Sequence, residues 1–282
     1  MRKLLIVVGM TIKFIVPCFS KTLPADPLGF PVLIVHEKGT GSGSFIQLSN
    51  SVYLVTAKHV LFSESVGTNP PTLISSSAVV RAYSSGGTTK MTERTVTLDL
   101  TRLLNAGDVR FSTNRDVAMV RIEDCRGDNH NITTTLPGVT VTPITGLNVF
   151  PSEGVSVLNE VEVGADVYMF GYPTSLTAPI REKFDPMRPL LRKGIVAGVN
   201  LDKRVIIVDC PAYQGNSGGP VIQVEEPSFG VKSFKIIGLV SQFVPFQEEW
   251  ENKTFHYSYV GISNSGYTVI EPIDTALELA WK

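Results

Sequence analysis

Apolar residues recur along the chain in short runs, separated by polar stretches that carry Gly, Pro, Asn or Ser. Phe30–His36, Ser44–Leu48, Val52–Thr56, Ala78–Ala82, Thr95–Leu100 and Val117–Ile122 form a first set of runs. Gly154–Leu158, Asp166–Phe170, Gly194–Val199, Arg204–Val208, Pro220–Val224, Phe234–Val240, His256–Ile262 and Tyr267–Ile270 form a second. The runs are rich in Val, Ile, Phe and Tyr, and few carry a helical period, so each predicts a β-strand. Many short strands at this spacing imply a sandwich or barrels rather than a doubly wound α/β sheet. One helix is predicted, Glu271–Lys282, where Ala276, Leu277, Leu279 and Ala280 follow an entry through Pro272 and Asp274. Between the two sets the polar stretch Arg126 to Ser152 predicts a long connection. The expected layout is therefore a β unit over about 28–125, the connection over about 126–152, a second β unit over about 153–270 and the helix at 271–282.

The N-terminus breaks this pattern. Arg2 and Lys3 precede the apolar stretch Leu4 to Ile12, and Cys18-Phe19-Ser20 supplies a small-x-small cleavage site. Lys13 keeps the apolar run shorter than the roughly 20 residues a membrane-spanning helix needs. Residues 1–20 are expected to be a signal peptide, with an uncleaved anchor as the rival reading, residues 21–282 the exported domain, and the destination secreted or periplasmic, with no membrane role beyond export. Pro17 argues against lipid attachment at Cys18.

Composition adds exclusions. A hydrophobic share of 43% in 282 residues provides for a sizeable core. A net charge of −1 with no long Lys/Arg run argues against nucleic acid as a partner. The chain has no CxxC and no HExxH, and no GxGxxG stands between a strand and a helix, so no cofactor or metal is expected. Export would leave Cys125 and Cys210, which are read as two separate buried thiols rather than a disulfide. Asn131 and Asn252 open two sequons, which matter only in a host that glycosylates its exports.

Three short segments carry candidate chemistry. In Gly215-Asn216-Ser217-Gly218-Gly219-Pro220, glycines free the backbone around a serine to turn sharply, and the N–H groups of Gly215 and Ser217 could share one oxyanion hole. A serine nucleophile needs a base. His59, at the end of the run Val52–Thr56, is the candidate, while His36 and His256 lie in predicted strands and His130 in the connection. An imidazole base needs a carboxylate to fix its tautomer, and Asp116 opens the apolar run Val117–Ile122. Alone, each segment also has a plain structural explanation: a glycine turn, a histidine at a strand end, and an Asp in a turn.

Taken together, Thr56-Ala57-Lys58-His59, Asp116-Val117-Ala118 and Gly215–Pro220, in the order His, Asp, Ser, resemble the trypsin-like (chymotrypsin-fold) serine peptidases. Gly41-Ser42-Gly43-Ser44-Phe45, Gly171-Tyr172-Pro173, Gly194–Gly198 and Gly266-Tyr267-Thr268 extend the resemblance over about 28–282. The likeness is to bacterial HtrA-type and glutamyl-endopeptidase-type branches. The stretch from Ser217 to Lys282 is too short for barrel closure and a PDZ domain as well. The resemblance implies an all-β fold of two six-stranded antiparallel β-barrels with a short C-terminal helix. It further implies an endopeptidase acting on protein or peptide substrates, with Ser217 as nucleophile, His59 as base and acid, and Asp116 orienting it. Ser241 matches a serine that hydrogen-bonds the aspartate, on a strand that pairs with substrate. Gln242 and Phe243 depart from the Trp-Gly of the animal enzymes.

Asn216 stands where those enzymes carry Asp, so no N-terminal ammonium is expected to pair there. Pro211 and Ala212 fall near the expected base of the S1 pocket with no carboxylate, which points to uncharged residues before the scissile bond. An α/β-hydrolase would need a helix after Gly215–Gly219 and a catalytic His downstream, but a strand signal follows. A non-catalytic binding protein that kept the fold is the remaining alternative.

Overall fold

The computed structural model describes residues 29–63, 70–84, 92–124, 136–142, 147–174, 183, 185, 188–228 and 231–281. The expected signal peptide, Cys18, Cys125, His130 and Asn131 lie outside these residues. The first unit contains β1 (Pro31–His36), β2 (Gly39–Leu48), β3 (Ser51–Thr56), the helical turn α1 (Lys58–Leu61), β4 (Ser77–Ser84), β5 (Thr92–Asp99), α2 (Leu100–Asn105), β6 (Val109–Phe111), β7 (Ala118–Asp124) and β8 (Val139–Thr142). The second contains β9 (Asp166–Gly171), β10 (Leu190–Asn200), β11 (Val205–Asp209), β12 (Pro220–Ser228), β13 (Val231–Asn252), β14 (Tyr257–Pro272) and the terminal helix α3 (Asp274–Ala280).

The two units are curled antiparallel sheets, arranged as in the chymotrypsin-like double barrel. The first orders its strands β6-β7-β3-β2-β1-β4-β5-β8, and the second closes as the six-stranded barrel β10-β11-β14-β13-β12-β9. The first therefore carries eight strands rather than the six expected. The core of the first sheet is built from side chains such as Phe45, Leu54, Phe62, Leu98 and Val120. Val167, Val208, Val221 and Ile270 fill the second barrel. Ile273, just before α3, and Ala276 and Leu279 within it pack into the first core, so a helix that follows the second barrel completes the first. Arg110 donates to the Leu279 and Ala280 carbonyls at 2.8 and 3.3 Å, pinning the C-terminal end of α3.

Several expectations are corrected. The stretch read as a connection contains β8, where Val139 and Val141 are buried and Thr140 and Thr142 exposed. Pairing with β5 supplies its ladder, so two buried valines suffice to hold it. The short strand β6 was not expected. Gly154–Leu158 is no strand. Its ends form 3-10 turns at Ser152–Gly154 and Leu158–Glu160, and Val155 makes only an isolated bridge to Ile236. The Phe150 ring fills the space a side chain at Gly154 would need, so glycine is the residue that fits there. At Leu100 the β run gives way to α2, because the Asp99 carboxylate accepts the Arg102 N–H at 3.0 Å and caps the helix. His256 lies in the turn before β14 with φ of 51°, not in a strand. The terminal helix is shorter than expected, because Glu271 and Pro272 still belong to β14.

Candidate active site

His59 and Asp116 meet where β3 ends and β7 begins. Thr56 is the last residue of β3, and α1 then turns the chain so that His59 faces the turn carrying Asp116. His59 Nδ1 lies 2.8 Å from Asp116 Oδ2, and the His59 backbone N–H donates to Oδ1 at 3.0 Å. The Ser241 hydroxyl donates to Oδ2 at 2.7 Å. Burial alone would push the Asp116 carboxyl up. The hydrogen bonds from the His59 ring, Ser241 and the His59 backbone, together with the His59 charge, outweigh it and hold the carboxyl below its usual range. With Oδ2 accepting at Nδ1, the other ring nitrogen, Nε2, is left as the acceptor in the neutral imidazole.

Ser217 stands in the same cleft, on the loop between β11 and β12. Its hydroxyl contacts the Ser241 carbonyl at 3.5 Å and makes no hydrogen bond to His59 among the described residues. The loop depends on glycine. Gly215 has φ of 96° and Gly218 of 82°, and a Cβ at Gly218 would collide with the Ser42 carbonyl and the Thr56 hydroxyl. The Gly218 N–H donates to Val240 O at 2.7 Å and the Gly219 N–H to Asn216 O at 2.9 Å. The N–H groups of Gly215 and Ser217 donate to no acceptor among the described residues. They are the two groups expected to form an oxyanion hole.

Neutral hydrogen bonds hold this loop in place. Asn216 is buried, and its side-chain oxygen accepts the Tyr213 N–H at 3.1 Å. Thr174 N–H donates to the Gln214 carbonyl at 3.0 Å. Sequence reasoning missed Ser42, whose N–H donates to the Ser217 carbonyl at 2.8 Å and whose hydroxyl donates to the Gly215 carbonyl at 2.7 Å. The same hydroxyl accepts the Tyr172 N–H at 3.0 Å. The placement of Ser42 between two glycines in Gly41–Gly43 was the available signal.

Behind Asp116 lies a second group not foreseen from sequence. Arg115 and Glu271 pair at 2.8 Å with side chains largely buried, and the Glu271 carboxylate also accepts the Asp116 backbone N–H. Arg115 further donates to the Lys203 carbonyl at 2.6 Å and to that of Arg204, so the Asp116 turn is tied to the second barrel. Burial pushes the Glu271 carboxyl above its usual value, and the Arg115 charge with both hydrogen bonds offsets only part of the rise.

His59, Arg115, Asp116, Ser217, Ser241 and Glu271 line one cleft of about 810 Å³, whose walls also include Ala212, Tyr213, Gln214, Val240, Gln242 and Phe243. Thr268 and Asn264 tie down the chain at Cys210–Ala212, the stretch expected to form the pocket base: Thr268 donates to Cys210 O at 2.6 Å, and Asn264 to Ala212 O at 2.6 Å. Cys210 is a free buried thiol, and burial pushes it up to about 11. Among the described residues no group of three or more His, Cys, Asp or Glu could hold a metal.

No curated protein sequence matches the chain. Solved structures that resemble it include a serine endoprotease from Yersinia pestis, at 16% identity and a TM-score of 0.44, covering 90% of this chain and 62% of that one. Another is the HtrA-type protease AlgW with a tripeptide, at 14% identity and a TM-score of 0.44, covering 90% and 60%. The chain thus spans about three fifths of the length of those structures. The family model described as a trypsin-like peptidase domain matches residues 41–231, from the strand that carries Ser42 through His59, Asp116 and Ser217 to the start of β13. The chain belongs to the family of trypsin-like peptidase domains.

Proposed function

We propose that the protein is an exported serine endopeptidase in which Ser217, His59 and Asp116 act as a catalytic triad. The observation that carries this reading is the His59 Nδ1–Asp116 Oδ2 contact of 2.8 Å in a cleft shared with Ser217. Rotation of the Ser217 hydroxyl away from the Ser241 carbonyl brings it toward Nε2 as substrate enters, since such hydrogen bonds often form fully only in the complex. Ser217 Oγ then attacks the scissile carbonyl carbon while its proton passes to His59 Nε2. The carbonyl oxygen becomes an oxyanion between the N–H groups of Gly215 and Ser217. Collapse of this intermediate breaks the C–N bond, and the proton on Nε2 leaves with the amine. Water then adds to the acyl carbon and gives up a proton to His59 Nε2; collapse breaks the bond from that carbon to Ser217 Oγ, the proton on Nε2 passes to Oγ, and the acid leaves. Asp116 stays ionised throughout and stabilises the imidazolium. Asn216 fills its position without a charged partner, so the oxyanion loop forms on folding and no cleavage is needed to activate it.

Two measurements test this. A fluorophosphonate probe should label the wild-type protein and not Ser217→Ala, and Ser217→Ala should lose peptide hydrolysis by several orders of magnitude while remaining folded. Near-normal hydrolysis by Ser217→Ala overturns the assignment. The missing Ser217–His59 hydrogen bond favours a second reading, a binding protein that kept the fold, and absence of labelling would select it. Export is tested by N-terminal sequencing of the protein recovered outside the cell, which should begin near Lys21.

A further inference from the structure

The strand that lines the cleft continues well past it. β13 is paired with β12 only as far as Leu239, then passes Ser241, Gln242 and Phe243 on the cleft wall and runs on to Asn252. From Gln242 onward its pairing partner among the described residues is β14. Register shifts at Val240/Gln242 and Phe243/Pro245 mark where the strand leaves the barrel. Beyond them, Pro245–Asn252 and Tyr257–Asn264 form a two-stranded ribbon exposed on both faces. The edge of β13 away from β14 has no strand beside it over this stretch among the described residues. A free strand edge that runs straight into a cleft has the geometry for addition of an extended polypeptide.

The side chains on the ribbon indicate what it would take. Trp250 pairs with Tyr259 and Asn252 with Tyr257, so Phe246, Trp250, Tyr257 and Tyr259 share one face. Glu249, Glu251, Val260 and Ile262 share the other. Trp250 is 63% exposed, Tyr259 64% and Ile262 69%, a concentration of apolar surface that marks an interaction site. The carboxylates of Glu248, Glu249 and Glu251 surround it, opposed in sequence only by Lys253. Two copies aligned edge to edge would bring these acids together, and an anionic lipid surface would repel them. A strand with basic and apolar side chains is the complementary occupant, since Lys and Arg can pair with the carboxylates and stack on the rings.

We propose that the ribbon is an extended docking track for the substrate: the segment on one side of the scissile bond, carrying alternating basic and apolar residues, adds to the free edge of β13. The proposal rests on the peptidase reading above. At about 3.3 Å per residue the track from Phe243 to Asn252 would hold roughly ten residues.

The test compares a short peptide that the full chain cuts with the same peptide extended by a ten-residue Lys-Val repeat, Glu-Val repeat or Gly-Ser repeat at either end. The Lys-Val extension should raise kcat/KM roughly tenfold or more, through KM, at one end only, and high salt should remove the gain. In the variants Trp250→Ser/Tyr259→Ser and Glu248→Gln/Glu249→Gln/Glu251→Gln, the long-to-short ratio should fall to near one. An equal gain at both ends, an equal gain from Gly-Ser, or a ratio unchanged in the variants overturns the proposal. A dimer of the wild-type protein that Trp250→Ser/Tyr259→Ser dissociates also overturns it, because the occupant is then a second copy. Fluorescence anisotropy of the labelled Lys-Val peptide on Ser217→Ala reads docking without cleavage. Ribbon-dependent binding there, with no peptide cut by the wild-type protein, leaves the track standing and removes the peptidase reading.

Discussion

The hydroxyl of Ser42, on β2 of the first sheet, donates at 2.7 Å to the carbonyl of Gly215, in the Ser217 loop of the second barrel. It thereby fixes the peptide beside the N–H groups proposed to meet the oxyanion. Ser42→Ala should leave the Gly215 carbonyl and the Tyr172 N–H unpaired, at a cost of about 1–3 kcal/mol in stability. It should also lower kcat about tenfold with little change in KM, because the loss is felt when the oxyanion forms. Unaltered kcat in a destabilised variant would restrict Ser42 to a structural role.

Asp116→Asn should lower kcat by about 10⁴, since an amide can stabilise the wrong tautomer of His59. Ser241→Ala removes one of three donors to the same carboxylate and should cost far less, roughly tenfold. Steady-state kinetics on a single peptide check the order, and equal losses in the two variants would contradict it.

Arg115 and Glu271 should behave as a buried pair. Either Arg115→Ala or Glu271→Ala leaves one charge uncompensated and should destabilise by roughly 3 kcal/mol. The double variant should lose less than the sum of the single losses, as measured by urea unfolding in a double-mutant cycle. Strict additivity would show that the pair is not coupled.

Acid stability should follow Asp116. Its carboxyl ionises more readily in the fold than its ordinary value of 3.8. The charged form is thus favoured by folding, and that contribution is complete above about pH 4 and lost as pH falls through the folded value. Glu271, shifted the other way, favours the fold in its protonated form and partly opposes the loss. Unfolding free energies from pH 6 to pH 2 should therefore fall more steeply for the wild-type protein than for Asp116→Asn. Parallel curves would remove Asp116 as the source.

The strands that hold the candidate residues were legible because each needs its own apolar run, as Val52–Thr56 does before His59. Val139–Thr142 was hidden in a polar stretch because an edge strand needs only two buried side chains once β5 supplies its hydrogen bonds. Leu100 looked like the end of a strand because the capping action of Asp99 depends on a backbone turn that periodicity does not encode. His59, Asp116 and Ser217 could be picked out because each stands in a short local motif. Ser42 and Gly215 are separated by 173 positions, and Arg115 and Glu271 by 156. No local pattern joins such pairs, since each is made only when the first sheet and the second barrel meet.

Ile273, with Ala276 and Leu279 of helix α3, seals the first core, and the three are the last buried apolar side chains among the described residues to leave the ribosome. Synthesis therefore releases His59 and Asp116 before Ser217, and Ser217 before the side chains that seal the first core. During translation a growing chain holds only part of the cleft until Glu271, the last of its lining residues in sequence, has emerged. On the peptidase reading proposed above, the order of the genetic message acts as a timer, because a chain that has not yet gained Ser217 lacks the nucleophile to cut its neighbours or itself.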